Sequence, residues 1–260
     1  MNSRPPNNDI QQVVDILTQS HSLLFITGAG ISADSGLPTY RGIGGLYEAE
    51  HPEEGFPIEE LLSGEMLQFR PELTWKYLGQ IEQATRGARF NRAHEVIAQM
   101  ESRFERVWTL TQNIDGLHRQ AGSKNVLEIH GDLHELICTR CRWRQTVADY
   151  SGLSLPPRCP RCQATVRPKV VLFGEMLPTE TLECFSEQLR IGFDAIFSIG
   201  TTSVFPYIAA PIEAARRCGW ATIEINPART TVSHLVDIKL SMRAAEAMDA
   251  IWTQYQTRKS

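Results

Sequence analysis

The sequence predicts an α/β fold in which helices cover both faces of a parallel sheet and a small cysteine-rich module is inserted. Short apolar segments with the pattern of buried strands alternate with amphipathic helical segments, and this alternation is typical of a parallel sheet covered on both faces. A Cys-, Arg- and Pro-rich stretch between about 133 and 168 and a Glu-, Gly- and Pro-rich stretch after Thr39 interrupt the alternation. At 260 residues, the chain has room for one large domain that carries a small one.

The framework elements are predicted in chain order from their apolar periodicity. Strands are expected at residues 23–27, 106–111, 126–129, 170–172, 195–200 and 221–225. Helices are expected at residues 9–19, 72–83, 93–102, 179–190, 208–218 and 244–255. In a parallel sheet of this kind, ligands bind outside the carboxyl ends of the strands.

The composition is that of an ordinary soluble globular protein. Hydrophobic residues make up 42% of the chain and charged residues 22%, which excludes disorder, collagen and coiled coil. The apolar runs are far shorter than the roughly 20 residues of a membrane span, and residues 1–12 lack the apolar core of a secretory signal. We therefore expect a cytoplasmic protein without a membrane partner. The acidic stretch 42–69 and the basic stretch 138–169 are interpreted as solvated surfaces.

The first predicted strand runs directly into a glycine-rich loop, Gly28-Ala29-Gly30-Ile31-Ser32-Ala33, which fits the pattern G-x-G-x-x-A. Glycines at these positions allow backbone N–H groups to approach a pyrophosphate, and the next helix would direct its positive end at that charge. A strand-to-helix turn with no ligand is the alternative. The following segment, 34–47, does not have the pattern of the second strand of an ordinary dinucleotide fold. Its glycines and Arg41 predict a loop that closes over a phosphate or ribose, which disfavours a conventional dehydrogenase.

Four of the six cysteines have the spacing of a zinc site. Two C-x-x-C pairs are separated by seventeen residues, and their members are Cys138, Cys141, Cys159 and Cys162. Four thiolates complete a tetrahedral shell and leave no position for substrate or water, so a structural Zn²⁺ is predicted. The alternative is four unrelated buried cysteines.

Two polar groups follow other predicted strands. The segment Thr111 to His118 places amides and a carboxylate at the carboxyl end of a strand, where they would bind a ribose or carboxamide or else form an Asn/Asp turn. His130 ends another strand. In this fold a histidine there faces the ligand crevice and can serve as a general base, although a structural histidine is the alternative.

Taken together, these segments resemble the sirtuins, the NAD-dependent protein-lysine deacylases, over nearly the whole chain from Phe25 onward. The matching motifs are G-A-G-I-S at 28–32, G-L-P-T-Y-R-G at 36–42, T-Q-N-I-D at 111–115, His130-Gly131, the four cysteines, V-V-L-F-G-E at 170–175, Gly200-Thr201-Thr202 and Asn226. The resemblance implies a Rossmann-like single catalytic domain over residues 1–260. Its NAD-binding part spans about 8–40, 104–132 and 168–258, and its module is helical at about 41–103 and a zinc ribbon at 133–167.

The resemblance also implies the chemistry and its residues. Acetyl or other neutral acyl groups would be removed from protein lysines with NAD as co-substrate, giving nicotinamide, deacylated lysine and O-acyl-ADP-ribose. His130 and Asn113 would be catalytic, with His130 taking a proton from a ribose hydroxyl. NAD would be bound by Gly28, Ala29, Gly30, Ser32, Asp34, Tyr40, Arg41, Gln112, Asn113, Ile114, Asp115, Gly200, Thr201, Thr202, Asn226 and Ala244. The acylated peptide would pair as an extra strand with the segment that contains Val171, Phe173, Gly174 and Glu175.

Three departures from the family pattern are visible. Tyr40 replaces the usual Phe, and the segment 200–206 is one residue shorter than the usual G-T-S-x-x-V-x-P. Leu78 and Ile81 occupy the positions where members that remove dicarboxylic acyl groups carry Tyr and Arg. A carboxylate left there without a counter-charge would cost several kcal/mol, so neutral acyl groups are predicted.

Two other functions remain alternatives. A NAD glycohydrolase or a mono-ADP-ribosyltransferase would share the first chemical step. A zinc-ribbon module that binds nucleic acid or a protein partner would use the arginines around the cysteines; we do not expect nucleic acid to be the main partner.

Overall fold

The computed structural model describes residues 6–39 and 55–259. The strands of these residues, numbered in chain order, are β1 (Ser22–Thr27), β2 (Arg106–Thr111), β3 (Val126–Glu128), β4 (Gly131–Cys138), β5 (Arg144–Thr146), β6 (Val166–Val170), β7 (Ala195–Ile199), β8 (Ala221–Ile225) and β9 (Ile238–Leu240). The helices are α1 (Pro6–Gln19), α2 (Ala29–Ser32), α3 (Ile58–Leu61), α4 (Gly64–Phe69), α5 (Pro71–Thr85), α6 (Arg92–Met100), α7 (Leu117–Gln120), α8 (Thr179–Ile191), α9 (Pro206–Cys218) and α10 (Ala244–Lys259).

A six-stranded sheet forms the main body, in the order β3-β2-β1-β7-β8-β9. Every neighbouring pair in it is parallel. The chain builds outward from β1 to β3, then returns to the other side of β1 and builds outward again through β7, β8 and β9. The direction of winding therefore reverses between β1 and β7, which opens a crevice at the carboxyl ends of those two strands.

Helices cover both faces of this sheet, as the sequence predicts. On one face, buried side chains of α1, α6 and α10 pack against the strands, among them Val13, Ile97 and Trp252. On the other face, α8 and α9 supply Phe185, Ile208 and Ile212 to a second core cluster. The strands between them carry continuous buried runs, such as all five residues of β7, because side chains on both faces of a parallel sheet lie in a core.

The inserted module is built from two separate parts of the chain. Its antiparallel sheet has the order β5-β4-β6, and α5 packs on it through Trp75, whose Nε1–H donates to the Val166 carbonyl at 2.9 Å. Trp75, Leu78, Leu133 and Leu136 share one core cluster that is separate from those of the large sheet.

Three details differ from the sequence expectations. Helix α6, grouped above with the module, contributes Val96, Ile97 and Met100 to the core of the large sheet. The strand expected at 170–172 was wrong in extent, because β6 ends at Val170 within the small sheet. The helix expected after the glycine loop is a single turn, α2, followed by a 3-10 turn over Ala33–Ser35.

None of the helices in residues 6–39 and 55–259 combines the length and the apolar character that a membrane span requires.

Candidate active site

The loops after β1 and β7 touch where the winding of the large sheet reverses. Gly30 N–H donates to the Gly200 carbonyl at 2.8 Å. A Cβ on Gly30 would lie 2.6 Å from Gly200 Cα, and one on Gly200 would lie 2.3 Å from Ile31 N. Gly200 also has φ 61°, a conformation that favours glycine. Gly28, Gly30 and Gly200, which we call the glycine cradle, thus expose backbone at a point where no side chain fits, and this suits a pyrophosphate.

A cavity of about 590 Å³ opens beside the glycine cradle. Among the predicted NAD-binding residues, those that line it are Gly28, Ala29, Gly30, Gln112, Asn113, Ile114, Gly200, Thr201, Thr202 and Asn226. His130 and the predicted substrate residues Val171, Phe173, Gly174 and Glu175 line it as well. The structure therefore brings most of the predicted dinucleotide, substrate and base residues to one crevice.

The remaining predicted NAD-binding residues lie elsewhere. Ser32 and Asp115 line a small adjoining cleft together with Ala29 and Asn113. Asp34 lines neither space; its carboxylate accepts from Arg243 and from the Ala245 N–H at 2.9 Å. Ala244, which begins α10, is buried and lines neither space. Tyr40 and Arg41, with residues 40–47 of the loop predicted to close over the ligand, lie outside the described residues.

The segment after β2 forms a buried polar cluster behind the glycine cradle. The Asn113 side-chain amide donates to the Gly28 carbonyl at 3.2 Å and to Ser32 Oγ at 3.1 Å. Asp115 accepts from Ser32 Oγ at 2.7 Å and from Leu117 N–H at 3.0 Å. Burial raises the pKa of this carboxyl above its ordinary value. The Asn113 contacts connect the loop after β2 to the loop after β1 and thereby stabilise the conformation of the glycine cradle.

His130, which follows β3, has both ring nitrogens hydrogen-bonded. Nδ1 lies 2.9 Å from the Gln112 carbonyl; since a carbonyl can only accept, Nδ1 carries the proton. Nε2 is then the basic nitrogen, and the Tyr207 hydroxyl donates to it at 2.8 Å. Burial lowers the pKa of His130, and the Gln112 bond opposes that shift. The imidazole is therefore neutral near pH 7 and can accept a proton at Nε2.

Sequence reasoning missed Tyr207. This residue lies in the first turn of α9 and lines the same cavity, with its ring stacked on Phe205 at a centroid distance of 5.4 Å. One sequence signal was present, because the residues that follow β7 lie at the carboxyl edge of the sheet, where ligands bind.

The segment 171–175 joins the large sheet to the module. Val171 N–H donates to the His130 carbonyl at 2.8 Å, while Phe173 N–H donates to the Leu62 carbonyl at 2.9 Å. Leu172 N–H donates to the Glu175 carboxylate at 2.8 Å, and that carboxylate also pairs with Arg167. Within the described residues, Gly174 is the position of this segment whose N–H has no hydrogen-bond partner. The backbone N–H groups of this segment are thus largely paired within the fold.

The wall of the cavity on the module side is apolar. Leu62, Leu78, Ile81 and Ile114 line it, and the first three of these are buried. Of the described residues that line the cavity, Arg229 is the one with a cationic side chain, and it follows β8 rather than belonging to this wall. Placing an uncharged group against such a surface costs much less desolvation free energy than placing a charged one there.

The four cysteines of the predicted zinc site converge in the module. Their sulfur atoms all lie within 4.8 Å of one another, and backbone N–H groups of Arg140 and Cys141 point at Cys138 Sγ at 3.3 and 3.4 Å. Four sulfurs at this spacing fit the tetrahedral shell of Zn²⁺, and the amide contacts stabilise thiolate charge. The cluster lies in the module rather than among the residues that line the cavity, as expected for a structural ion.

Comparisons with known proteins identify similar chains. The model of the Sir2 family matches residues 28–206. The chain is 47% identical over 259 residues to NAD-dependent protein deacylase 2 of Pseudomonas aeruginosa, covering 96% of this chain and 98% of that protein. It is similar to a Sir2 homologue solved in complex with NAD, with a TM-score of 0.86, 33% identity and coverage of 96% and 95% of the two chains. It is also similar to a Sir2 protein solved with a deacetylated p53 peptide and 3′-O-acetyl-ADP-ribose, with a TM-score of 0.84, 28% identity and coverage of 94% and 98%.

Proposed function

This chain belongs to the Sir2 family, and on that premise we propose how it carries out NAD-dependent protein deacylation. The chain is an NAD-dependent protein deacylase. The proposal is that it removes acetyl or other neutral acyl groups from protein lysines, and that His130 is the general base. The observation that carries it is the position of His130, which lines the same cavity as the glycine cradle and the segment 171–175.

The residues present fit NAD. A pyrophosphate would lie against the glycine cradle, where a Cβ at Gly28, Gly30 or Gly200 would collide with neighbouring backbone or side-chain atoms. When bound, NAD supplies an electrophilic ribose carbon, with nicotinamide as the leaving group, to the oxygen of the acyl group. We assign Gln112, Asn113 and Asp115 to the nicotinamide ribose end and Asn226 to the adenosine end. Asn113 would serve to hold the loop after β1 in place through Gly28 and Ser32.

The role proposed for His130 follows from its tautomer. The Gln112 carbonyl holds the proton on Nδ1, so Nε2 is the ring nitrogen with a free lone pair for a proton, and a ribose hydroxyl could donate to it in place of Tyr207. The lowered pKa of the ring keeps this lone pair unprotonated at neutral pH. By accepting that proton, His130 would make the ribose oxygen nucleophilic enough to bond to the acyl carbon, so that the bond from this carbon to the lysine nitrogen could break.

Neutral acyl groups are proposed because of the wall formed by Leu62, Leu78, Ile81 and Ile114. A terminal carboxylate against it would lose its hydration and gain no cationic partner among the described residues of that wall. We expect an acetylated peptide to be turned over at least about tenfold faster than the succinylated form of the same peptide. Faster turnover of the succinylated peptide would refute this preference.

We also propose the limits of the module and its setting. Residues of about 55–86 and 131–172 share the core cluster around Trp75, which supports their treatment as one unit held by zinc. A cytoplasmic location is proposed, because thiols that bind zinc have to stay reduced, as they do in the cytosol.

The decisive experiment is mass spectrometry of an acetyl-lysine peptide incubated with the protein, with and without NAD, beside His130→Ala. Loss of the acetyl group is expected only with NAD and with His130, together with the appearance of nicotinamide and O-acetyl-ADP-ribose. Consumption of NAD while the peptide stays acetylated would instead favour the glycohydrolase or ADP-ribosyltransferase alternative. Equal deacetylation by His130→Ala would refute the assignment of the base.

A further inference from the structure

Tyr207 is a residue that neither the motif pattern nor the reaction requires, yet it contacts the most reactive atom of the site. Its hydroxyl lies 2.8 Å from His130 Nε2, and its ring lies 6.1 Å from the imidazole at an interplanar angle of 85°. Phe205 completes the arrangement, stacked on Tyr207 and set edge-on to the same imidazole at 6.2 Å. A tyrosine of α9 therefore occupies the hydrogen-bonding position at Nε2, and both side chains line the same cavity.

A neutral imidazole nitrogen has a single lone pair, so it accepts one well-directed hydrogen bond. The Gln112 carbonyl fixes the proton on Nδ1, which leaves Nε2 as the one acceptor of the ring. A ribose hydroxyl and the Tyr207 hydroxyl cannot both donate to it. The Tyr207 contact in the structure and the contact required for proton transfer exclude each other.

We propose that the Tyr207 hydroxyl holds the place of the ribose hydroxyl in the ligand-free protein, donating to His130 Nε2 until NAD binds and displaces it. This inference rests on the proposed function, because it needs a ribose hydroxyl as the competitor. Tyr207 is then a positioning residue: it holds the imidazole ring in a reactive orientation and lowers the affinity for the ribose that must replace it.

The chemistry of the phenol agrees with this role. Burial raises the pKa of Tyr207 above its ordinary value, so the group stays protonated and donates, and it does not act as a base. The charged side chains of neighbouring segments are engaged elsewhere: Asp132 with His134, and Glu175 with Arg167. Arg229 lines the cavity, but it makes no hydrogen bond to His130. Displacement therefore exchanges one neutral donor for another at Nε2.

The test is calorimetry of Tyr207→Phe with two unreactive ligands, ADP-ribose and ADP. Phe keeps the ring that stacks on Phe205 and removes only the hydroxyl. ADP-ribose carries the distal ribose that meets His130, whereas ADP lacks it and fills the rest of the site. We expect Tyr207→Phe to bind ADP-ribose about two- to tenfold more tightly than the unaltered protein, since one modest hydrogen bond no longer has to be broken. The affinity for ADP should stay the same. Tyr255→Phe, the same change in α10, is the matched control and should alter neither affinity.

A second readout follows the nitrogen itself. In the free protein, the nitrogen-15 resonance of His130 Nε2 should differ between the unaltered chain and Tyr207→Phe, because its donor is lost. With ADP-ribose at saturation, the two proteins should give the same resonance, because the ribose hydroxyl is the donor in both. In turnover, Tyr207→Phe should lower KM for NAD and leave kcat unchanged.

Several results would overturn the proposal. Unchanged or weaker ADP-ribose binding by Tyr207→Phe would mean that no displacement occurs. Different Nε2 resonances in the saturated proteins, or a fall in kcat without a change in KM, would mean that Tyr207 stays on His130 during the reaction. If the unaltered protein binds neither ADP-ribose nor ADP, the proposed function itself fails, and this inference fails with it. Binding of both ligands with no effect of Tyr207→Phe refutes the displacement alone.

Discussion

The close approach of the two loops at the glycine cradle predicts that Gly200→Ala damages stability and NAD binding together. A Cβ there would lie 2.3 Å from Ile31 N and 2.5 Å from the Gly30 carbonyl carbon, and these are backbone atoms that cannot rotate away. Gly200 also has φ 61°. The left-handed conformation costs about 1–2 kcal/mol for alanine, and overpacking adds about 1–3 kcal/mol. We therefore expect a loss of about 2–5 kcal/mol in the free energy of unfolding.

Two other glycines separate the effect of the left-handed backbone conformation from the effect of the close approach. Gly36 has φ 83° and open space around its Cβ position, whereas Gly152 has neither a positive φ nor a neighbour within 4 Å. Gly36→Ala should lose about 1–2 kcal/mol, and Gly152→Ala should change stability by less than about 0.5 kcal/mol. Urea denaturation followed by tryptophan fluorescence measures all three. Calorimetry should show weaker ADP-ribose binding by the folded Gly200→Ala protein than by Gly152→Ala. If Gly200→Ala loses no more stability than Gly36→Ala and binds ADP-ribose as well as Gly152→Ala does, the close approach is not what requires glycine.

Three further predictions concern the base, the metal and the buried histidines. Since burial lowers the pKa of His130, kcat/KM for deacetylation should fall only as pH drops through a value below the ordinary 6.5 of histidine; a rate profile with an acid midpoint above 6.5 would contradict this. Cys159→Ser, or removal of zinc with a chelator, should unfold the module and abolish peptide binding. Cys218→Ser, at an exposed position outside the cluster, should leave the module folded and peptide binding intact. Full activity in a protein shown to be zinc-free would refute a structural ion. Burial lowers the pKa of His94 to about 4, whereas its pKa in the unfolded chain is about 6.5. The free energy of unfolding is therefore not reduced by this group above about pH 6.5. It decreases as the pH drops below that value, by about 3 kcal/mol at pH 4. The melting temperature of His94→Gln should depend less steeply on pH over this range, and an unchanged slope would count against the buried neutral histidine.

The large sheet could be predicted from the sequence because its strands are buried on both faces. β1 is apolar from Leu23 to Ile26, and in β7 Ser198 is the one polar residue; short, mostly apolar runs of this kind indicate strands buried on both faces. The small sheet could not be predicted in the same way. All three residues of β5 are exposed, and β4 alternates irregularly, since these strands owe their order to the packing of α5 and to the cysteines rather than to an apolar pattern of their own.

Residues of the candidate site could be predicted from the sequence where they belong to a local motif, and could not where side-chain contacts across the fold bring them together. The glycines and His130 could be identified because each directly follows a predicted strand. Tyr207 does not, because its contact with His130 joins residues 77 positions apart. For Asp34 and Ala244, the resemblance to the family implies NAD binding, but neither residue lines the cavity or the adjoining cleft. The Asp34 carboxylate instead accepts a hydrogen bond from the start of α10.

The division of the module between two parts of the chain has a consequence for protein synthesis. Helix α5 presents Trp75, Leu78 and Ile81, which in the folded protein are covered by β4 and β6. On the ribosome, Val166, which accepts the hydrogen bond of Trp75, is made about 90 residues later, and at ordinary rates of translation that interval is roughly 5–20 s. During this time the apolar face of α5 has no partner and the cysteines have no complete shell. The nascent chain therefore has its greatest need of a chaperone before the second pair of cysteines is made, and zinc can complete the module only after that point.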